Sequence, residues 1–269
     1  MAEIMGIINL TEDSFYAPSR TGADKAVERA GAMLREGADI LDFGACSTRP
    51  GSTPPSPEEE GRRLVSALKE VKAAFPQAQV SVDTYRAEVV ERVYDAIGPF
   101  LVNDVSAGTL DPEMLPLAGR LELPYVAMHM RGTPETMQRF TDYADVVEEV
   151  KTFFRTFSQK AGDNGITDWI LDPGFGFAKT LEQNYTLLGR LEELKELGRP
   201  VLVGISRKSM IYRMLEITPE EAGTPTQVLN YVALEKGADI LRVHDVADTR
   251  RTMRIYSMMY TSSPGAANS

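Results

Sequence analysis

Acidic, amide and basic side chains stand at the ends of short apolar runs along this chain. Asn9 closes one run, Asp83 another, Asn103 and Asp104 a third, and Asp172 a fourth. Ser206, Arg207 and Lys208 follow a further run, and Arg242 and His244 lie within the last. Carboxylates and amides gathered in this way can pair with a flat heterocycle that presents several N–H donors along one edge. Such a site discriminates strongly, because an analogue leaves buried polar groups unpaired. Arg242 and His244 are two apart, so on a strand they face the same way, and together they suit an anion such as phosphate. A salt bridge to a nearby carboxylate is the competing reading of Arg242. For any single Asp or Asn, the competing reading is a helix cap or turn.

Two stretches look like phosphate loops at first sight. Asp172–Thr180 has glycines and a Lys-Thr pair, but Pro173 and Ala178 occupy the glycine positions of the P-loop pattern, and the third glycine of a dinucleotide fingerprint is missing. Gly204–Ser209 has a Lys-Ser pair with no glycine before it. Neither stretch supports an NTPase or a dehydrogenase.

Composition removes other classes. With 29 Lys and Arg against 39 Asp and Glu the net charge is −10, which disfavours nucleic acid as a partner, since phosphate neutralisation needs clustered bases. A few well-placed basic residues can still hold a small anion. One cysteine, Cys46, and two histidines exclude an internal disulfide, a multi-cysteine zinc site and a three-histidine metal site. An oxygen-liganded ion such as Mg²⁺ fits the residues that remain. The first ten residues lack a secretory pattern, and no apolar run approaches the ~18 residues of a membrane span. The expected compartment is the cytosol, with no membrane partner.

These side chains need a scaffold that brings strand ends together. Eight apolar runs read as strands: Ile4–Asn9, Ile40–Gly44, Val80–Asp83, Leu101–Asp104, Tyr125–His129, Trp169–Asp172, Val201–Ile205 and Ile240–His244. They are near-continuously apolar, as strands of a parallel sheet are. Amphipathic helical patterns lie between them at Asp24–Glu36, Glu58–Ala74, Val146–Lys160, Leu181–Leu197 and Thr226–Lys236. Strand–helix alternation in 269 residues predicts an α/β chain folded as one (β/α)₈ TIM barrel over residues 1–260, with a polar tail at 261–269. A doubly wound open sheet is the alternative. Gly37-Ala38-Asp39-Ile40-Leu41 recurs as Gly237-Ala238-Asp239-Ile240-Leu241, which marks two helix-to-strand joints with glycine caps.

The ordered set of motifs resembles the dihydropteroate synthases, a family of pterin-binding enzymes. The set runs Met5-Gly6-Ile7-Ile8-Asn9 through Ser14-Phe15, Ser47-Thr48-Arg49-Pro50-Gly51, Ser81-Val82-Asp83-Thr84-Tyr85, Asn103-Asp104 and Met128-His129-Met130. It continues with Asp172-Pro173-Gly174-Phe175-Gly176-Phe177, Ser206-Arg207-Lys208 and Arg242-Val243-His244-Asp245-Val246. The resemblance implies a (β/α)₈ barrel that joins 6-hydroxymethyl-7,8-dihydropterin diphosphate to 4-aminobenzoate. The products are 7,8-dihydropteroate and diphosphate, on the route to folate. It implies that Asp83, Asn103, Met128, Asp172, Phe177 and Lys208 hold the pterin. Asn9, Arg242 and His244 would hold the diphosphate, with Asn9 beside Mg²⁺. Phe15, Thr48, Arg49, Pro50, Phe177 and Ser209 would shape the aminobenzoate site. Asp83, Asp172, Lys208, Arg242 and His244 would serve the chemistry, a dissociative displacement of diphosphate without a protein nucleophile. Sulfonamides are then expected to compete with aminobenzoate, and a homodimer is expected.

Three positions depart from the family pattern: Glu12 replaces a proline, Ala17 a loop aspartate, and Cys46 a glutamate before Ser47. Two other functions compete. A pterin-binding methyltransferase domain would share the barrel but needs neither Thr48-Arg49-Pro50-Gly51 nor Ser206-Arg207-Lys208. A non-catalytic pterin-binding module would bind pterin without releasing diphosphate.

Overall fold

The computed structural model describes residues 2–10, 21–46, 54–133 and 135–261. Its eight strands are β1 (Glu3–Asn9), β2 (Ile40–Gly44), β3 (Gln79–Asp83), β4 (Leu101–Asp104), β5 (Tyr125–Met128), β6 (Trp169–Asp172), β7 (Leu202–Val203) and β8 (Ile240–Val243). The helices between them are α1 (Thr21–Glu36), α2 (Pro57–Ala74), α3 (Ala87–Ile97), α4 (Met114–Arg120), α5 (Val146–Asp163), α6 (Leu181–Gly189), α7 (Ser209–Tyr212), α8 (Gly223–Glu235) and α9 (Val246–Thr261).

All pairings are parallel, in the order β6-β5-β4-β3-β2-β1-β8-β7. A parallel bridge between Leu171 and Val201 joins the two ends, so the sheet closes. That is the expected (β/α)₈ barrel rather than an open sheet.

Outward residues such as Leu41, Phe43, Val82, Val102, Leu171 and Leu241 pack under the helices in the main apolar cluster. The repeated Gly-Ala-Asp-Ile-Leu segment is one device used twice. Gly37 (φ +99°) and Gly237 (φ +86°) take the left-handed conformation that glycine alone adopts without strain. Ala38 N–H then reaches back to Met33 O at 2.8 Å, and Ala238 N–H to Ala233 O at 2.9 Å. The aspartates that follow pin the neighbouring strand. Asp39 Oδ2 accepts from Ile4 N–H at 2.8 Å, and Asp239 Oδ2 from Val201 N–H at 2.7 Å.

Several boundaries differ from expectation. The helix expected over Leu181–Leu197 is broken: α6 ends at Gly189, Arg190 leaves the helical region (φ −118°, ψ 22°), and Leu191–Leu197 continues as a 3-10 helix. The strand expected over Val201–Ile205 is only Leu202–Val203, and those expected to end at His129 and His244 stop at Met128 and Val243. His129 N–H still pairs with Asp172 O of β6 at 2.9 Å, one residue past the end of β5, whereas His244 N–H turns to the Ser206 side chain at 3.2 Å. The tail at 262–269 lies outside the described residues.

Candidate active site

The inward positions of the strands form layers. Met5, Ile40, Leu101, Val126, Leu202 and Ile240, with Ile170, make an apolar plug at the amino-terminal end of the barrel. Two residues further along, the same inward face presents Asp42, Asp83, Asn103, Met128, Asp172 and Arg242. The strand ends converge because parallel strands share one carboxyl end. Register sets Asp83 beside Asn103 and Gly44, and Met128 beside Asp172.

Asp42 is the hub of this polar layer. It is fully buried and accepts from Arg242 Nε at 2.7 Å and from Asn103 Nδ2 at 3.2 and 3.3 Å. Arg242 Nη2 donates to Asp83 Oδ2 at 2.6 Å. One guanidinium therefore bridges two carboxylates, which is the salt-bridge reading of Arg242. Burial pushes the Asp83 carboxyl up, to about 7, while Arg242 pulls it down and Asp42 pushes it further up. The amide of Asn103 has its NH₂ committed to Asp42, so its carbonyl oxygen points away from Asp42, as an acceptor for a ligand N–H.

Asp172 stands across the mouth. Its Oδ1 accepts from Gly174 N–H at 2.8 Å, which leaves Oδ2 for a ligand. Burial raises its pKa, and Lys208 above all opposes that. Lys208 Nζ donates to Phe175 O at 2.5 Å and lies 4.6 Å from the centre of the Phe177 ring. Burial pushes this ammonium down to about 8, against the pull of Asp172. Val105, Met128, Met130, Met137 and Ala178, with Tyr85 and Phe177, form an apolar wall beside these groups. Acceptors and a donor at the rim of an apolar slot suit a flat, polar-edged ring.

The rest of the Ser206-Arg207-Lys208 segment serves the scaffold. Arg207 has φ +54°, its guanidinium clasps Asp245 at 2.8 and 2.9 Å, and its N–H donates to Thr226 Oγ1. This turns Lys208 inward, and Ser209 begins α7, half-buried. Ser206 Oγ lies 3.0 Å from His244 Nδ1 and accepts from His244 N–H at 3.2 Å, so His244 is held just past the end of β8. Asn9 ends β1 beside Gly44, also half-buried. Phe15, Thr48, Arg49 and Pro50, and the departures Glu12 and Ala17, lie outside the described residues.

Sequence reasoning missed Asp42 and Lys179. Asp42 hides inside the apolar run Ile40–Gly44, where only its inward parity, shared with Ile40, hinted at it. Lys179, in the stretch that failed as a P-loop, is buried. Thr180, after it, is a helix cap: its Oγ1 accepts from Gln183 N–H while Gln183 Oε1 accepts from Thr180 N–H. Asp104, noted at a strand end, faces outward and binds Ser106, Gly108 and the Tyr125 hydroxyl. Burial, with Glu60 next, pushes the Cys46 thiol up to about 11, so it stays protonated and unreactive at neutral pH. Among the described residues no three His, Cys, Asp or Glu side chains cluster to hold a metal. Asn9 supplies one oxygen donor of the type Mg²⁺ accepts.

Residues 5–244 match the family model described as "Pterin binding enzyme". The chain is 43% identical to the dihydropteroate synthase of Synechocystis sp., over 90% of this chain and 85% of that protein. It also resembles the structure of the Clostridium difficile dihydropteroate synthase determined in the presence of pteroic acid. The TM-score there is 0.90 and the identity 36%, covering 96% of this chain and 97% of that one. The Yersinia pestis dihydropteroate synthase in a sulfonamide drug complex is similarly close, with TM-score 0.90, 36% identity, and 97% and 95% of the two chains covered.

Proposed function

The chain belongs to the pterin-binding enzymes and, among them, to the dihydropteroate synthases, and on that premise we propose how its residues perform the reaction. The activity is a transferase reaction of folate biosynthesis: 6-hydroxymethyl-7,8-dihydropterin diphosphate and 4-aminobenzoate give 7,8-dihydropteroate and diphosphate. The observation that carries this reading is the set of acceptors at the carboxyl ends of β3, β4 and β6, joined by the Lys208 ammonium after β7. Asn103 Oδ1 and Asp172 Oδ2 accept from the N–H edge of the pterin, and Lys208 donates to its acceptor side. Met128 and Phe177 cover its faces.

The C–O bond to diphosphate breaks first, and the aminobenzoate nitrogen then forms the C–N bond and loses its proton. No side chain attacks. The protein contributes position and charge. Asp83 and Asp172 favour the positive charge that spreads over the ring as diphosphate leaves. Arg242, whose Nε and Nη2 are fixed on Asp42 and Asp83, offers Nη1 to the leaving group together with His244. Mg²⁺ would neutralise the diphosphate charge. Asn9 would supply one oxygen, and substrate oxygens and water most of the others.

Phe15, Thr48, Arg49, Pro50 and Ser209 are proposed to shape the aminobenzoate site, where sulfonamides would compete. A homodimer is proposed through α8 and α9, whose Val228, Ile255, Met258, Met259 and Tyr260 are more than half exposed. Among the described residues no helix is long and apolar enough to cross a membrane, and the proposed compartment is the cytosol. Diphosphate release on mixing enzyme, Mg²⁺ and both substrates tests the activity. Pterin binding without diphosphate release would return the chain to a non-catalytic module.

A further inference from the structure

Lys179 is a buried cation that the reaction does not use. It is 4% exposed, and among the described residues no carboxylate lies within ion-pair distance of it. Its Nζ instead has three acceptors: Gly174 O at 2.9 Å, Phe177 O at 3.0 Å and His129 Nδ1 at 3.0 Å. An ammonium has three protons and no lone pair, so all three contacts are accounted for only if His129 Nδ1 accepts. The imidazole is then neutral with its proton on Nε2. Burial, Lys179 and Arg131 all hold the His129 pKa well below its ordinary value, which agrees with a neutral ring. The ring is itself enclosed, edge-on to Phe153 at 5.0 Å.

The loop that Lys179 grips is the one that, on the proposed function, faces the pterin. Its other ties are Asp172 to Gly174 N–H and Asn184 to Gly176 N–H at 2.7 Å. Gly174 packs closely against His129: a Cβ there would lie 2.0 Å from His129 O. What the loop presents is the Phe175 carbonyl and the Phe177 ring, and both touch Lys208. We propose that Lys179 is a positioning residue for the pterin site, its three protons fixing the Gly174–Phe177 loop to His129 so that the loop holds Lys208 in place.

The binding arm of the test rests on the synthase reading; the spectroscopic arm does not. The chain has two histidines, so long-range ¹H–¹⁵N spectra of histidine-labelled protein contain two rings, assigned with His129→Gln. Burial pushes Lys179 down to about 7, so at pH 6 it is still the ammonium. At that pH His129 should show a protonated Nε2 and a bare Nδ1. An imidazolium, or a proton on Nδ1, would overturn the proposal. Lys179→Met keeps length and donates nothing. It should weaken 6-hydroxymethylpterin binding roughly ten-fold and raise the KM for 4-aminobenzoate, which would meet only the Phe177 ring of this loop, by several-fold less, while Lys179→Arg restores part of the loss. Equal losses for both substrates, or none for the pterin, would also overturn it. If Lys179→Met does not fold, the tautomer and Lys179→Arg decide. A wild-type protein that binds no pterin yet shows the Nε2 proton would sink the synthase reading and leave the loop contact standing.

Discussion

Asp42→Asn tests whether a side chain that need not touch the ligand sets the polarity of the pterin site. In the native protein the carboxylate accepts from both Arg242 Nε and Asn103 Nδ2. An asparagine at 42 has one oxygen and one NH₂. Its oxygen must take the Arg242 bond, since a guanidinium offers only donors. Its NH₂ then faces Asn103, whose amide must flip to present its own oxygen. The ligand side of Asn103 changes from acceptor to donor and opposes a pterin N–H. One hydrogen bond is lost and a buried donor is left unpaired, at a cost of about 1–3 kcal/mol, or roughly ten- to a hundred-fold in affinity. Removing the charge of the buried Asp42 from its pair with the partly exposed Arg242 costs the fold up to about 3 kcal/mol in addition. Titration calorimetry with 6-hydroxymethylpterin and thermal unfolding measure the two separately. A double-mutant cycle with Asn103→Ala should show coupling of more than about 0.5 kcal/mol in binding. Binding within about two-fold of wild type, with additive effects, would refute the orienting role of Asp42.

Pterin binding should fall on both sides of a narrow pH optimum. Asp83, raised to about 7, is ionised only above that value, and Lys208, lowered to about 8, is charged only below it; a flat binding profile from pH 5.5 to 9.5 would contradict both assignments. Gly174→Ala puts a methyl against His129 O at a residue with φ +71°, so unfolding free energy should drop by more than about 3 kcal/mol; denaturant titration gives the value, and a drop below 1 kcal/mol would mean that the loop shifts freely. Sulfonamides should raise the KM for 4-aminobenzoate without changing the limiting rate; full activity at sulfonamide concentrations far above aminobenzoate would exclude a shared site.

Much of this was legible in the chain itself. Apolar runs at regular spacing, broken by amphipathic stretches, point to parallel strands buried on both faces; whether the sheet closes was settled by the bridge between Leu171 and Val201. The barrel in turn dictates that Asn9, Asp83, Asn103, Asp172 and Lys208 stand at or just past the strand ends on one rim, since parallel strands share their carboxyl ends. The two Gly-Ala-Asp-Ile-Leu joints were visible because helix capping is local, a matter of five residues and one left-handed glycine. The break at Arg190 was not visible, because hydrophobic periodicity runs on from α6 into the 3-10 helix.

Tertiary structure alone decided what each polar group is bonded to. Asp42 meets Asn103 across 61 residues and Arg242 across 200, separations no local pattern encodes. Arg242 read as an anion ligand by its type and by its pairing with His244. Closure of β8 beside β1, with β2 next, placed it between two carboxylates first. Lys179 read as a failed phosphate loop, and folding set its ammonium among two carbonyls and an imidazole. Residue type and strand parity settle which groups reach the rim. Which proton each one offers or accepts is settled by neighbours that only the closed barrel brings within hydrogen-bonding distance.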